Sequence, residues 1–144
     1  FVIEKALAEG KKVAVPRVTS ATDMDFFLLN NNLTLKSQLT EGAFGISEPK
    51  ENLEKISACC LEKKETVVLM PGLAFSMDGY RLGKGRGYYD RYLARTGRKI
   101  ESPLFGFCFD FQIAQEIAHD EHDVPVGFIV TERGIKKAKT LLFF

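Results

Sequence analysis

The strongest constraint on the fold is a glycine-rich stretch within residues 71–95. In it Gly83, Gly85 and Gly87 alternate with larger residues. An apolar run at 66–70, rich in β-branched residues, precedes the stretch, and apolar residues at helical spacing follow it. The sequence therefore predicts a strand, a glycine loop and then a helix.

The larger residues of this loop are mostly basic. Lys84 and Arg86 separate the glycines, and Arg81 lies just before them. Glycine permits φ > 0, so successive N–H groups can converge on an anion, and the predicted helix from Tyr88 would add its positive dipole end. The spacing matches neither the Walker A loop nor the dinucleotide fingerprint. It indicates a phosphate or nucleotide site, with a solvated surface loop as the alternative.

Composition limits the classes of partner. The chain has 144 residues, 45% hydrophobic and 27% charged, and a net charge of +1. These values fit one globular domain without bulk attraction to nucleic acid or membrane. No apolar run reaches the roughly 18 residues of a membrane helix, so we expect a cytoplasmic protein without nucleic acid or membrane as a partner. Three cysteines without a Cys-x-x-Cys pair predict neither a disulfide framework nor a zinc site.

Apolar periodicity predicts alternating helices and strands. The predicted helices are 1–9, 51–63, the one that follows the loop, and 111–118; the predicted strands are 12–15, 26–29, 66–70, 103–109 and 125–130. Such alternation is typical of α/β folds. We expect a single three-layer α/β domain over residues 1–144, with a mostly parallel central sheet flanked by helices.

Two carboxylates are candidates for a magnesium site. Asp90 lies in the first turn of the predicted helix, and Asp123 precedes the last predicted strand. Magnesium bound with a nucleotide uses one or two protein carboxylates and takes its other oxygens from phosphate and water. The alternatives are a helix-dipole interaction for Asp90 and a surface turn for Asp123. His119 and His122 lack a third ligand and do not predict a transition-metal site.

The segments Pro71–Phe75 and Gly79–Asp90 together resemble the signature of the 5-formyltetrahydrofolate cyclo-ligase family, also called methenyltetrahydrofolate synthetases. The resemblance implies an ATP-dependent ligase of one-carbon metabolism, with Mg²⁺ as cofactor and ATP as co-substrate. It implies conversion of 5-formyltetrahydrofolate to 5,10-methenyltetrahydrofolate, with release of ADP and phosphate. The γ-phosphoryl group would pass to the formyl oxygen, and the folate N10 would then close the ring.

The same resemblance implies roles for individual residues. Lys84 and Arg86 would be catalytic, and Asp90 and Asp123 would bind the metal. The ATP site would consist of Arg81, Leu82, Gly83, Lys84, Gly85, Arg86, Gly87, Tyr88 and Tyr89. The folate would contact Met24, Phe44, Arg86 and Tyr89, with Phe44 against the pterin.

Three departures from the family pattern accompany this resemblance. The family's N-terminal segment, which carries a basic pair and an acidic residue, has no match, so we expect the chain to lack it. Val18 and Gly127 stand where an aromatic and an acidic residue are frequent. A non-catalytic relative that binds nucleotide or folate is therefore the alternative function, and RNA binding is disfavoured by the near-neutral charge. We expect a monomer or a weak homodimer.

Overall fold

The computed structural model describes residues 1–42, 45–96 and 100–139. Its backbone contacts divide the chain into two compact units, Phe1–Ser57 and Ala58–Phe144. Each unit has its own strands and its own buried apolar residues. A single domain over residues 1–144 stays a prediction.

The first unit contains one helix and two antiparallel pairs of strands. The helix is α1 (Val2–Ala8), and the strands are β1 (Ala14–Val18), β2 (Met24–Leu28), β3 (Leu39–Glu41) and β4 (Ser47–Pro49). Strand β1 pairs with β2, and β3 pairs with β4. The predicted strand at 12–15 therefore begins later and continues through Pro16 and Arg17. The buried apolar side chains include Leu7, Met24, Phe27 and Leu29.

The predicted helix at 51–63 does not form. The N–H of Leu28 donates to the carbonyl of Glu54 at 2.8 Å, and the N–H of Ile56 donates to that of Phe26 at 2.9 Å. The segment thus pairs with β2, and only the 3₁₀ turn Ala58–Glu62 is helical. Its apolar spacing correctly marked the half-buried positions, but pairing between segments overrode helix propensity.

The second unit is built on a four-stranded sheet. Its elements are β5 (Val68–Pro71), β6 (Ala74–Ser76), β7 (Arg81–Leu82), α2 (Tyr88–Ala94), β8 (Leu104–Phe107), β9 (Ile113–Ala114), β10 (Phe128–Thr131) and β11 (Gly134–Lys137). The order across the sheet is β11-β10-β8-β5. Strands β5, β8 and β10 are parallel, and β11 joins β10 as an antiparallel hairpin. The carboxyl ends of three parallel strands therefore share one edge, where α/β sheets bind ligands.

A smaller sheet has the strand order β7-β6-β9. In the sequence, β6 and β7 come between β5 and β8, and β9 comes between β8 and β10. Its central residue Phe75 is fully buried, and any side chain at Gly106 of β8 would collide with the Phe75 ring. The missing side chain at Gly106 thus provides the space for this ring. Phe75 therefore fixes the small sheet on the large one.

The predicted helix at 111–118 is also wrong. Residues Asp110–Gln112 form one 3₁₀ turn, and β9 follows at once. Strand β9 pairs in parallel with β6, with Ile113 opposite Phe75 and Ala114 opposite Ser76. The backbone of Ile113 and Ala114 is used by this pairing, so the helical apolar spacing is overridden.

The α/β class is confirmed, with mixed sheets and few helices. Among the described strands, three pairings are parallel (β5–β8, β8–β10 and β6–β9) and four are antiparallel. The three-layer, mostly parallel arrangement stays a prediction. Across the described residues no helix combines the length and apolarity needed to cross a bilayer.

Candidate functional site

The glycine loop connects β7 to α2, so the predicted loop and the helix from Tyr88 are both present. Residues 82–86 are exposed, including the cations Lys84 and Arg86. Gly87 has φ 60°, a left-handed conformation that turns the chain into α2 and that favours glycine. The loop therefore offers two cations and flexible backbone to an anion.

The base of the loop is closed by an ion pair. Arg81 Nη2 lies 2.6 Å from Asp90 Oδ2, and the two side chains are only 9% and 13% exposed. Arg81 Nη1 also donates to the carbonyl oxygen of Val124 at 3.4 Å. The N–H of Val124 donates to Asp90 Oδ1 at 3.1 Å. Arg81, Asp90 and the backbone of Val124 thus each contact the other two. The two ends of the loop are therefore joined at one point.

A second set of contacts ties the segment 119–126 to the turn before β7. The rings of Tyr80 and His119 stack, with centroids 3.5 Å apart and planes inclined by 11°. The N–H of Val126 donates to the carbonyl oxygen of Gly79 at 2.9 Å. Gly79 has φ 92°, and a Cβ there would collide with the Val126 carbonyl, so the turn requires glycine. These contacts hold the segment beside Arg81.

The two predicted metal ligands are linked through this segment. Asp123 directly precedes Val124, whose N–H binds Asp90. Asp90 accepts one hydrogen bond at each oxygen, from Arg81 and from Val124, and Asp123 Oδ2 accepts one from the N–H of Asp120 at 2.9 Å. A carboxylate offers about four acceptor positions, so both retain capacity for a cation.

Magnesium is compatible with this donor set. Within residues 1–42, 45–96 and 100–139 no three His, Cys, Asp or Glu side chains form a group that could hold a metal unaided. Two carboxylates beside a loop that binds phosphate would suit a cation that completes its shell with phosphate oxygens and water. Asp90 and Asp123 fit that arrangement, and their metal binding stays a prediction.

The two tyrosines of the loop occupy different environments. Tyr89 lies beneath Arg81, whose guanidinium carbon is 5.7 Å from the ring centroid. Burial raises the pKa of Tyr89 to about 12, although the Arg81 cation opposes this shift. Its hydroxyl therefore remains a hydrogen-bond donor at neutral pH. Tyr88 is half-buried on the first turn of α2 and contacts Arg91.

Comparison of the sequence with known families decides the affiliation. Residues 1–132 match the profile of the 5-formyltetrahydrofolate cyclo-ligase family. The chain belongs to this family. A mouse 5-formyltetrahydrofolate cyclo-ligase is 30% identical over 91% of this chain and 65% of its own length. An Escherichia coli K12 protein of the same name is 29% identical over 90% of this chain and 68% of its own length.

A solved cyclo-ligase structure shares the fold. The 5,10-methenyltetrahydrofolate synthetase of Aquifex aeolicus, solved by NMR, superposes with a TM-score of 0.72 at 29% identity. The match covers 96% of this chain and 63% of that one. The chain therefore spans less than two thirds of the length of the mouse and Aquifex relatives.

Two predicted folate contacts of the cyclo-ligase pattern fall in the first unit. Met24 begins β2, opposite Val18 of β1, and is 3% exposed. Phe44 lies outside the described residues. Contact of either residue with a folate stays a prediction.

Arg91 contacts the glycine loop and was not among the residues predicted from the sequence. Its Nη2 donates to the carbonyl oxygen of Arg86 at 2.5 Å, and its guanidinium carbon lies 5.5 Å from the Tyr88 centroid. Side chains of a helix lean toward its N-terminus, so an arginine one turn after Gly87 could have been expected to reach the loop. The residues that carry the family resemblance end at Asp90, one position earlier.

The sequence reasoning also missed a cleft at the carboxyl ends of β8 and β10. It has a volume of about 430 Å³, and Phe107, Phe109, Gln112 and Glu132 are among its lining residues. Gln112 Nε2 donates to the carbonyl oxygen of Leu73 at 2.8 Å. Leu73 in turn bonds to the backbone of Leu82, the first exposed residue of the glycine loop. Leu73 therefore connects a lining residue of the cleft to the start of the glycine loop.

Proposed function

We propose that this chain carries the nucleotide site of an ATP-dependent ligase that converts 5-formyltetrahydrofolate to 5,10-methenyltetrahydrofolate with release of ADP and phosphate. Membership of the cyclo-ligase family supports this reaction. The names of the mouse and Aquifex relatives describe the same chemistry. Because the chain spans less than two thirds of those relatives, the activity is part of the proposal.

The observation that carries the proposal is the geometry of the glycine loop. Exposed Lys84 and Arg86 stand among glycines with positive φ, on a loop whose base is closed by a desolvated ion pair. Phosphoryl transfer needs positioning and neutralisation of charge more than covalent catalysis. Lys84 and Arg86 would bind the β- and γ-phosphates and stabilise the transferring group, and residues 81–89 would form the ATP site.

The proposed reaction has two steps. The formyl oxygen attacks the γ-phosphorus and ADP leaves; the folate N10 then attacks the formyl carbon, the carbon–oxygen bond to phosphate breaks, and N10 loses its proton. Arg86 would border the formyl group, and the protonated hydroxyl of Tyr89 would donate a hydrogen bond to the folate. Met24 and Phe44 would contribute to the folate pocket.

Asp90 and Asp123 would hold a magnesium ion together with the nucleotide. Their remaining acceptor positions and the link between them through Val124 support this assignment. When bound, the cation would neutralise charge on the phosphate oxygens.

The test is an assay of the full-length protein with 5-formyltetrahydrofolate and MgATP. Product formation is monitored through the absorbance of methenyltetrahydrofolate. We expect an ATP-dependent rise that is about 100-fold slower in Arg86→Ala, since a group that stabilises transition-state charge has that effect. Arg133→Ala is a matched control, because Arg133 is an exposed arginine paired with Asp110 outside the loop. Binding of ATP or of the folate without product would instead support the non-catalytic relative, and absence of binding of both ligands would contradict both functions.

A further inference from the structure

We propose that Arg81 is a positioning residue of the nucleotide site. It acts through Asp90 and the backbone of Val124 to fix the two ends of the glycine loop, and it leaves the phosphates to Lys84 and Arg86. The ligand in this inference, a nucleoside di- or triphosphate, rests on the proposed function. The role of Arg81 within the protein rests on its own contacts.

The donor groups of Arg81 are directed at the protein. Nη2 lies 2.6 Å from Asp90 Oδ2, Nη1 donates to the Val124 carbonyl at 3.4 Å, and the guanidinium lies over the ring of Tyr89. The side chain is 9% exposed, whereas Lys84 and Arg86 are exposed residues on the loop itself. An arginine that binds phosphate presents its planar fork to the ligand. Arg81 presents its fork to Asp90 and Val124.

The contacts of Arg81 restrict the loop. Arg81 directly precedes the exposed residues and Asp90 follows them on α2, so their ion pair closes the segment 82–89 into a ring. Asp90 also receives the N–H of Val124, which fixes the ring against the segment that contains Asp123. A loop with fixed ends has fewer conformations to lose on binding, so its cations and N–H groups are preorganised for an anion.

This arrangement predicts that Arg81 and Asp90 act as one unit in nucleotide binding. Replacement of either residue opens the same ring. Replacement of the second residue should therefore cause little further loss of nucleotide affinity. If Arg81 contacted phosphate directly, the two effects would be independent. In the absence of metal, removal of the Asp90 charge would then tighten binding of an anion. The positioning role predicts weaker binding instead.

The experiment is calorimetric titration of ADP, with EDTA present, into the full-length protein and its variants Arg81→Ala, Asp90→Asn and the double variant. EDTA removes any contribution of Asp90 as a metal ligand. We expect each single change to weaken ADP binding about tenfold or more, with the double variant within about twofold of the weaker single variant, as for residues in one network. Arg81→Lys keeps a cation for Asp90 and should recover most of the affinity. Tighter binding by Asp90→Asn, or additive losses, would overturn the proposal.

A second measurement separates this inference from the proposed function. In the nucleotide-free protein, amide hydrogen exchange at Val124 should accelerate about tenfold or more in Arg81→Ala, because its acceptor Asp90 loses its anchor, while Ile129 in the core of β10 stays protected. Unchanged exchange at Val124 would overturn the inference. Failure of the wild type to bind ADP would reject the proposed function, and Val124 exchange would still decide whether Arg81 fixes the loop. If Arg81→Ala does not fold, the double variant carries the comparison, because it leaves no buried charge unpaired.

Discussion

Arg91 donates a hydrogen bond from Nη2 to the carbonyl oxygen of Arg86 at 2.5 Å, so a side chain of α2 closes back onto the loop that precedes the helix. Its guanidinium also lies over the ring of Tyr88, on the first turn of the same helix. The loop is therefore held on the side of α2 by Arg91 as well as at its base by Arg81. The backbone between Arg86 and Gly87 is the part that Arg91 orients.

Replacement of Arg91 by alanine should weaken nucleotide binding with little loss of stability. A hydrogen bond from a charged donor contributes about 1.5–3 kcal/mol when it is shielded from water, and less at an exposed residue such as Arg91. We therefore expect roughly a fivefold to tenfold loss of ADP affinity, which corresponds to about 1 kcal/mol. Arg95→Ala is the matched control, because Arg95 is exposed directly after α2 and its guanidinium carbon lies 5.7 Å from the Tyr92 ring centroid. Equal ADP affinities of the two variants by calorimetry would contradict the role of Arg91.

Gly79→Ala should be strongly destabilising. Its φ of 92° is unfavourable for alanine, and the new Cβ would meet the backbone carbonyl of Val126. We expect a loss of more than about 2 kcal/mol in the free energy of unfolding, measured with urea. Gly83→Ala is the control in the same signature, because a Cβ at Gly83 meets no described atom within 4 Å. If Gly79→Ala and Gly83→Ala lowered the free energy of unfolding by the same small amount, the contact with Val126 would not constrain the turn.

The phenol of Tyr89 should make stability depend on alkaline pH. Its pKa is raised from 10.0 to about 12 in the folded protein. The contribution of the protonated phenol to the free energy of unfolding is therefore fully present below pH 10. It is lost as the pH rises toward 12. At pH 11 the wild type should have lost roughly 1 kcal/mol that Tyr89→Phe retains, since one pKa unit corresponds to about that energy. Urea unfolding of both proteins at pH 8 and pH 11 measures this, and a pH-independent difference would refute it.

Lys84→Ala should impair the proposed reaction without affecting the fold. Lys84 is exposed, so we expect unfolding within about 0.5 kcal/mol of the wild type. The rate of methenyltetrahydrofolate formation should fall about 100-fold, because a positive charge beside the transferring phosphoryl group is removed. Lys137→Ala removes an exposed lysine on β11 and serves as the control. Equal rates of the two variants would exclude Lys84 from catalysis.

The parts of the site that could be predicted from sequence depend on neighbours in the chain. The alternation of Gly83, Gly85 and Gly87 with cations and the apolar spacing after Tyr88 are local patterns, and both the loop and α2 are present. The strands β5, β8 and β10 were short apolar runs, and they form the parallel part of the sheet.

The parts that could not be predicted depend on pairing between distant segments. The spacing at 51–63 and 111–118 is helical, yet the first segment bonds to β2 and the second pairs with β6. Arg81 and Asp90 were each assigned to a ligand from sequence. Their contact with each other could not be read from the pattern, because it is completed by Val124, 34 positions beyond Asp90.

All the tyrosines of this chain lie in the segment 80–92, and the chain has no tryptophan. Tyr80 stacks on His119 before β7, and Tyr88, Tyr89 and Tyr92 lie on α2. The intrinsic ultraviolet fluorescence of these 144 residues therefore originates almost entirely from the two sides of the glycine loop. These residues thus carry their own optical probe, and a ligand that alters their tyrosine emission does so by changing the surroundings of this segment.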